Sequence, residues 1–136
     1  MLAVLLWVTA VLPVLAACPP PTPVRIPQGA TATTLSGGVV RGERACYTLT
    51  ARQGQLLSIT QADTPDTNIV FQVYRPPWRL AGSRTDLLVR GTALPGTEEG
   101  NDARHFTGLL PVTGDYLLVI GTSRGSGEYR LYLDIR

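Results

Sequence analysis

The chain has 136 residues, room for one domain of ordinary size, and its 12 cationic residues, all Arg, face 10 acids for a net charge of +2. That near-balance excludes a protein whose main task is to neutralise nucleic-acid phosphates, which needs a clustered basic surface. One His and two Cys leave little material for a metal site or a His-dependent active site, while 44% apolar residues with 14 Gly and 11 Pro suit a folded β-rich domain.

Leu2 to Ala17 form an apolar run in which Thr9 is the only hydrophilic side chain, and the first charge is Arg25. Broken by Pro13, the run is short of the ~20 residues that cross a bilayer as a permanent helix. It fits the apolar region and small-residue exit of a secretory signal. The run ends in Leu15-Ala16-Ala17-Cys18, which resembles the lipobox of bacterial lipoproteins. The resemblance implies cleavage before Cys18 and acylation of its thiol, palmitate-type chains together making a durable membrane anchor. Pro19 in place of Asp favours the outer membrane or cell surface. The other reading of the same residues is ordinary signal cleavage nearby, with Cys18 paired to Cys46 in an oxidising compartment. Residues 1–17 are thus expected as a signal peptide. Residues 18–29, with prolines at 19, 20, 21, 23 and 27, are expected as an extended tether that lifts a domain over residues 30–136 off a membrane.

From Ala30 onward period-two apolar runs alternate with Gly, Pro, Asp and Asn, and no helical stripe is visible. The expected strands are Thr33–Val40, Ala45–Ala51, Leu56–Gln61, Asn68–Tyr74, Asp86–Arg90, His105–Leu110, Asp115–Gly121 and Glu128–Ile135. Seven or eight strands at this spacing, with no crossover helix between them, predict an all-β, antiparallel, jelly-roll-like β-sandwich. The last two strands share one pattern, Gly114-Asp115-Tyr116 and Gly127-Glu128-Tyr129 each opening a strand. Tyr116, Leu118, Ile120, Tyr129, Leu131, Leu133 and Ile135 are expected inside with Tyr47, Leu49, Leu57, Ile59, Ile69, Phe71 and Val73. The tyrosine hydroxyls are expected to find backbone partners at the sandwich edge. Arg130, Tyr132, Asp134 and Arg136 are expected in water, and Cys46 on the outer face with Thr48 and Thr50.

The order Gly42-Glu43, Tyr47-Thr48-Leu49, Gly54-Gln55-Leu56-Leu57-Ser58-Ile59 and Asn68-Ile69-Val70-Phe71-Gln72-Val73-Tyr74, closing with Leu110-Pro111-Val112-Thr113-Gly114-Asp115-Tyr116 and Gly127-Glu128-Tyr129, resembles the bacterial pre-peptidase C-terminal domain. It is similar also to the related periplasmic inhibitors of goose-type lysozyme. The resemblance, over roughly residues 33–136, implies a secreted sandwich that binds or inhibits and is not an enzyme. In those inhibitors a longer basic loop between the last two strands contributes to binding. Here that connection is Thr122-Ser123-Arg124-Gly125-Ser126-Gly127, so the resemblance carries over Arg124 alone.

Candidate chemistry is sparse. Gly121-Thr122-Ser123-Arg124-Gly125 matches the G-x-S-x-G nucleophile motif, which needs a strained strand-to-helix turn. Here it joins two strands, and the only His, His105, precedes Ser123, so turn chemistry at a hairpin is expected. A lone His105 makes no metal site, and no catalytic residue is assigned. Two acidic loops, Asp63–Asn68 and Glu98–Asp102, offer hard oxygen ligands for Ca²⁺ without the spaced pattern of a dedicated loop, so Ca²⁺ is the one cation they would suit and no cofactor is assigned. The segment Tyr74-Arg75-Pro76-Pro77-Trp78-Arg79 is the choice for a partner contact, because Trp and Arg concentrate binding energy and the prolines limit the entropy lost on docking. Arg84 and Arg90 add positive charge nearby. The structural alternative is a Trp lid closing the sandwich. Arg75, Trp78, Arg79 and Arg124 are therefore the expected partner-binding residues, and an envelope protein, a glycan or a foreign lytic enzyme the expected partner.

Overall fold

The computed structural model describes residues 3, 4, 7, 20–62, 68–83 and 86–136, so Cys18 and the expected signal run fall largely outside the described residues. Nine strands follow in chain order: β1 Thr22–Pro23, β2 Ala32–Val39, β3 Ala45–Ala51, β4 Leu56–Gln61, β5 Ile69–Gly82, β6 Leu87–Ala93, β7 His105–Leu109, β8 Gly114–Thr122 and β9 Gly127–Ile135. They form a five-stranded sheet, β1-β3-β8-β5-β6, and a four-stranded sheet, β2-β9-β4-β7. Every pairing is antiparallel except that of β1 with β3. The all-β sandwich expected from the alternation is the fold observed.

The interior follows from side-chain parity. Tyr116, Leu118 and Ile120 of β8 and Phe71 and Val73 of β5 turn inward from one sheet. Leu57 and Ile59 of β4 and Leu131 and Leu133 of β9 meet them from the other, all nearly or fully buried. The two terminal tyrosines differ. The Tyr116 ring is buried, and its hydroxyl donates to the Val112 carbonyl at 2.6 Å while accepting from the Val112 N–H at 3.1 Å. Tyr129 instead shares a hydrogen bond with the Tyr47 hydroxyl at 2.5 Å, and the two rings meet edge to face at 6.3 Å.

Four features depart from the alternation or go beyond it. First, β5 continues through Pro76 and Pro77, where the prolines suggested an end. The pairing with β8 ends at Tyr74 opposite Leu117, so the missing proline N–H groups fall beyond that ladder, and the pairing with β6 slips between Arg75 and Arg79. Gly114 carries φ 152°, and a Cβ there would lie 2.9 Å from the Pro76 ring, so a bulkier residue would drive the two strands apart. Second, a separate apolar cluster covers the outer face of the five-stranded sheet: Tyr74, Leu117 and Val119 are buried beneath Trp78, Leu80, Val89 and Cys46. Cys46 is on the outer face as parity requires, but half-buried in that cluster.

Third, Gly121–Gly125 is not a hairpin turn. β8 pairs with β3 and β5, β9 with β2 and β4, so the connection crosses from one sheet to the other. Fourth, part of the expected tether lies on the sandwich. Thr22 and Pro23 pair with Tyr47 and Thr48, the Val24 N–H donates to the Thr48 carbonyl at 2.8 Å, and Val24 and Ile26 pack against the core. Two apolar side chains among the prolines make docking worth more than the freedom of an extended linker.

Candidate functional site

The sandwich has two ends, and the expected partner residues divide between them. β5 runs antiparallel to β8, with Ile69 opposite Thr122 and Tyr74 opposite Leu117. Arg75 and Trp78 therefore lie at the end where β8 starts, and Arg124 follows the end where β8 finishes. From Asp115 to Thr122 the strand spans about 23 Å, so the two sets cannot form one compact site.

At the first end Trp78 is half-buried in the outer cluster, and its indole N–H donates to the Asp115 carbonyl at 2.8 Å. Trp78 thus closes the outer cluster as a lid, with part of its surface left to solvent. Arg75 is half-buried beside it. Arg79 is exposed and stands directly opposite Arg90 across the β5–β6 ladder, with Leu88 at 51% exposure on the same edge strand. Two like charges in cross-strand register destabilise a sheet. Arg84 lies outside the described residues.

At the other end, the β2–β3 turn and the inter-sheet crossing meet. The Arg41 N–H donates to Ser126 Oγ at 3.0 Å, and Asn68 Nδ2 donates to the carbonyls of Arg124 at 2.7 Å and Ser126 at 2.9 Å, pinning the crossing. Between them is an open notch of about 460 Å³ lined by Arg41, Gly42, Arg44, Thr122, Ser123, Arg124 and Gly125. All three arginines are exposed, and Arg44 also packs over Gly121 and donates to the Glu43 carbonyl at 2.8 Å. Arg41 and Arg44 escaped the sequence reading. They lie some 80 residues from Arg124 in the chain, and only the β3–β8 register, with Ala45 opposite Ile120, brings them beside it. The legible signal was the Arg-Gly-Glu-Arg turn itself.

Across Arg44 a smaller groove of about 240 Å³ has the opposite character, with Glu98, Glu99 and Asp102 facing Val70, Gln72 and Val119. Burial first, and then the Glu99 charge, raises the pKa of Tyr74 above its ordinary value; its hydroxyl donates to Gln72 Oε1 at 2.9 Å. The Glu98 carboxylate is already engaged, accepting from the Gly96 N–H at 2.8 Å and from Asn101 Nδ2 at 2.6 Å. Among the described residues no group of three His, Cys, Asp or Glu side chains converges on a common point. Most of the other acidic loop, residues 63–67 of Asp63–Asn68, lies outside them.

Ser123 of the G-x-S-x-G match is exposed in the sheet crossing, and its backbone N–H and its hydroxyl both donate to the Asn68 carbonyl. His105 opens the edge strand β7 of the other sheet, opposite Thr60.

The chain matches no established family model and no curated protein sequence. Among solved structures it is similar to PliG of Aeromonas hydrophila, a periplasmic inhibitor of g-type lysozyme, at 22% identity and a TM-score of 0.60, covering 85% of this chain and 95% of that one. PliG of Salmonella Typhimurium, also a periplasmic inhibitor of g-type lysozyme, matches at 15% identity and 0.58 over 85% and 96% of the two chains. The pre-peptidase C-terminal domain of a Bacillus anthracis collagenase is matched at 13% identity and 0.48 over 87% and 98%. The fold is therefore that of the lysozyme inhibitors, as the strand motifs suggested.

Proposed function

We propose that the chain is a non-catalytic, extracytoplasmic binding module, lipid-anchored at Cys18, that meets an acidic protein surface with the end bearing Arg75, Trp78, Arg79 and Arg90. The observation that supports this most is the Arg79–Arg90 pair. Placing two guanidinium groups opposite each other costs the sheet stability, and such local penalties are retained where a partner offsets them. Trp78 beside them is immobilised by its bond to Asp115, so little side-chain entropy remains to be lost on docking. Inhibition of a goose-type lysozyme is the second reading, favoured by the periplasmic inhibitors that share nearly their whole length with this fold; it would work through Arg124.

Intact mass of the membrane-extracted protein tests the anchor, residues 18–136 plus acyl chains being expected. For the partner, immobilised protein should retain a membrane-extract protein at low salt and lose it when Arg79→Gln and Arg90→Gln are combined. Retention of the same protein by the double variant refutes the proposed surface. A lysozyme titration separates the second reading: stoichiometric inhibition abolished by Arg124→Gln, and untouched by the double variant, would replace the first.

A further inference from the structure

The position at which the N-terminal segment joins the sandwich has a consequence for the arginine notch. β1 runs parallel to β3 from Thr22 opposite Tyr47, so the chain arrives at the end where β3 begins, the end that holds the notch. Pro20 and Thr22 themselves line a shallow pocket with Arg44, Ala45 and Cys46. Cys18 lies two positions before Pro20, about 7 Å of chain at full extension. Resting on the anchor at Cys18 proposed above, this leaves no free spacer. An acylated Cys18 brings the bilayer surface to the same end of the sandwich.

We infer that the notch formed by Arg41, Arg44 and Arg124 is a phosphate-binding site for the headgroups of anionic lipids in the membrane that carries the anchor. The residues suit that chemistry. Three guanidinium groups supply forked N–H donors that match phosphate oxygens, and Gly42 leaves the backbone accessible. Among the described residues no acid lines the notch. The described acids of this end stand elsewhere: Glu98, Glu99 and Asp102 in the groove beyond Arg44, Glu43 within the turn, and Glu128 at the start of β9.

The inference assigns the two ends different tasks. The notch faces lipid, and the Trp78 end, about 23 Å away along β8, points away from the membrane.

The test is hydrogen exchange on the acylated protein reconstituted in vesicles of phosphatidylglycerol with phosphatidylethanolamine, against vesicles of phosphatidylcholine alone. The acyl chains hold the protein on both, so binding to the vesicle does not confuse the readout. Amides of residues 41–44 and 122–126 are expected to slow only on the anionic surface, and each of Arg41→Gln, Arg44→Gln and Arg124→Gln to lower the docked fraction about fivefold. Arg52→Gln, exposed at the opposite end, should leave the protection in place. Unchanged thermal midpoints show that the variants fold, and the Arg124→Gln variant alone suffices should the Arg44 change disturb its packing on Gly121. Acylated protein whose two segments exchange equally on both vesicles overturns the lipid site and leaves the anchor standing. A mass showing Cys18 unmodified, or joined to Cys46, overturns the anchor and this inference with it.

Discussion

Replacing Tyr116 by Phe isolates the bond that closes one end of the sandwich. The ring stays in place, fully buried, and only the hydroxyl is lost; with it go the bond to the Val112 carbonyl at 2.6 Å and the bond from the Val112 N–H at 3.1 Å. An orphaned buried polar group costs about 1–3 kcal/mol, but Val112 is half-exposed, so water recovers part of one bond. The expected net loss is about 2 kcal/mol, which lowers the thermal midpoint by roughly 8 °C for a domain of this size. In urea the midpoint should fall by about 1 M at unchanged slope, since no extra surface is exposed in the folded state.

The Tyr129→Phe variant provides the internal control. It also removes one hydroxyl, but the Tyr47 hydroxyl left behind is half-exposed and turns to water. Its cost should therefore stay at about 0.5–1 kcal/mol. Equal losses in the two variants, or the reverse order, would refute the idea that the Val112 loop depends on the Tyr116 hydroxyl.

Thr97 is fully buried, its hydroxyl accepting from the Val73 N–H at 3.1 Å and donating to the Leu94 carbonyl at 2.9 Å, so the near-isosteric Thr97→Val should cost about 1–3 kcal/mol by denaturant titration. Gly37→Ala puts a Cβ 2.6 Å from the Tyr129 hydroxyl and should cost about 1–3 kcal/mol through overpacking, with part of the loss rescued by Tyr129→Phe, which leaves the ring Cζ at 2.9 Å; an additive double variant would show that the two do not touch. Asn68→Ala should raise amide exchange over residues 123–126 before it alters the core, because both crossing carbonyls lose their side-chain donor. The pKa of Tyr129 is raised above 10.0 by burial and then by its bond to Tyr47. Its neutral form therefore stabilises the fold below the unfolded value, and stability falls as pH climbs through the alkaline range above it, by at most ~1.4 kcal/mol per pH unit for this group. Tyr129→Phe should flatten that fall, and Tyr74, raised also, should account for a further part of it.

The eight strands with two-residue periodicity were legible because burial on one face writes itself into alternate positions, and Ala45–Ala51 and Leu56–Gln61 coincide with their expected bounds. What escaped was set by contacts between distant segments. β1 carries no alternation because two residues are too few to show one, and its docking depends on Val24 and Ile26 reaching the core. Leu117 and Val119 alternate with the inward residues of β8 and so face outward, yet they are buried because β5 runs on past the prolines and returns Trp78 and Leu80 over them. The same limit governs the sites. Arg75, Trp78 and Arg79 are neighbours in the chain and were visible as one segment, whereas Arg41, Arg44 and Arg124 became neighbours only through the sheet crossing.

That crossing also explains how a scaffold of this size can carry two separate charged surfaces of one sign. A hairpin between β8 and β9 would have kept both strands in one sheet and left Arg124 at its edge. By passing from one sheet to the other, the chain sets Arg124 beside the β2–β3 turn, and Asn68 holds it there through backbone carbonyls, leaving the guanidinium groups outside the hydrogen-bond network of the crossing. Repulsion among three exposed arginines is tolerable because solvent and salt screen charges at the surface. On the proposed anchoring, a lipid phosphate would replace that screening on the membrane side, while the Arg79–Arg90 pair stays screened only by solvent until a partner arrives. The two surfaces then differ in salt dependence. Acylation makes the lipid contact local and persistent, so raising salt should release the protein partner at concentrations that leave the protection of residues 41–44 and 122–126 largely intact. Loss of both at the same salt concentration would show that the two ends are not independent.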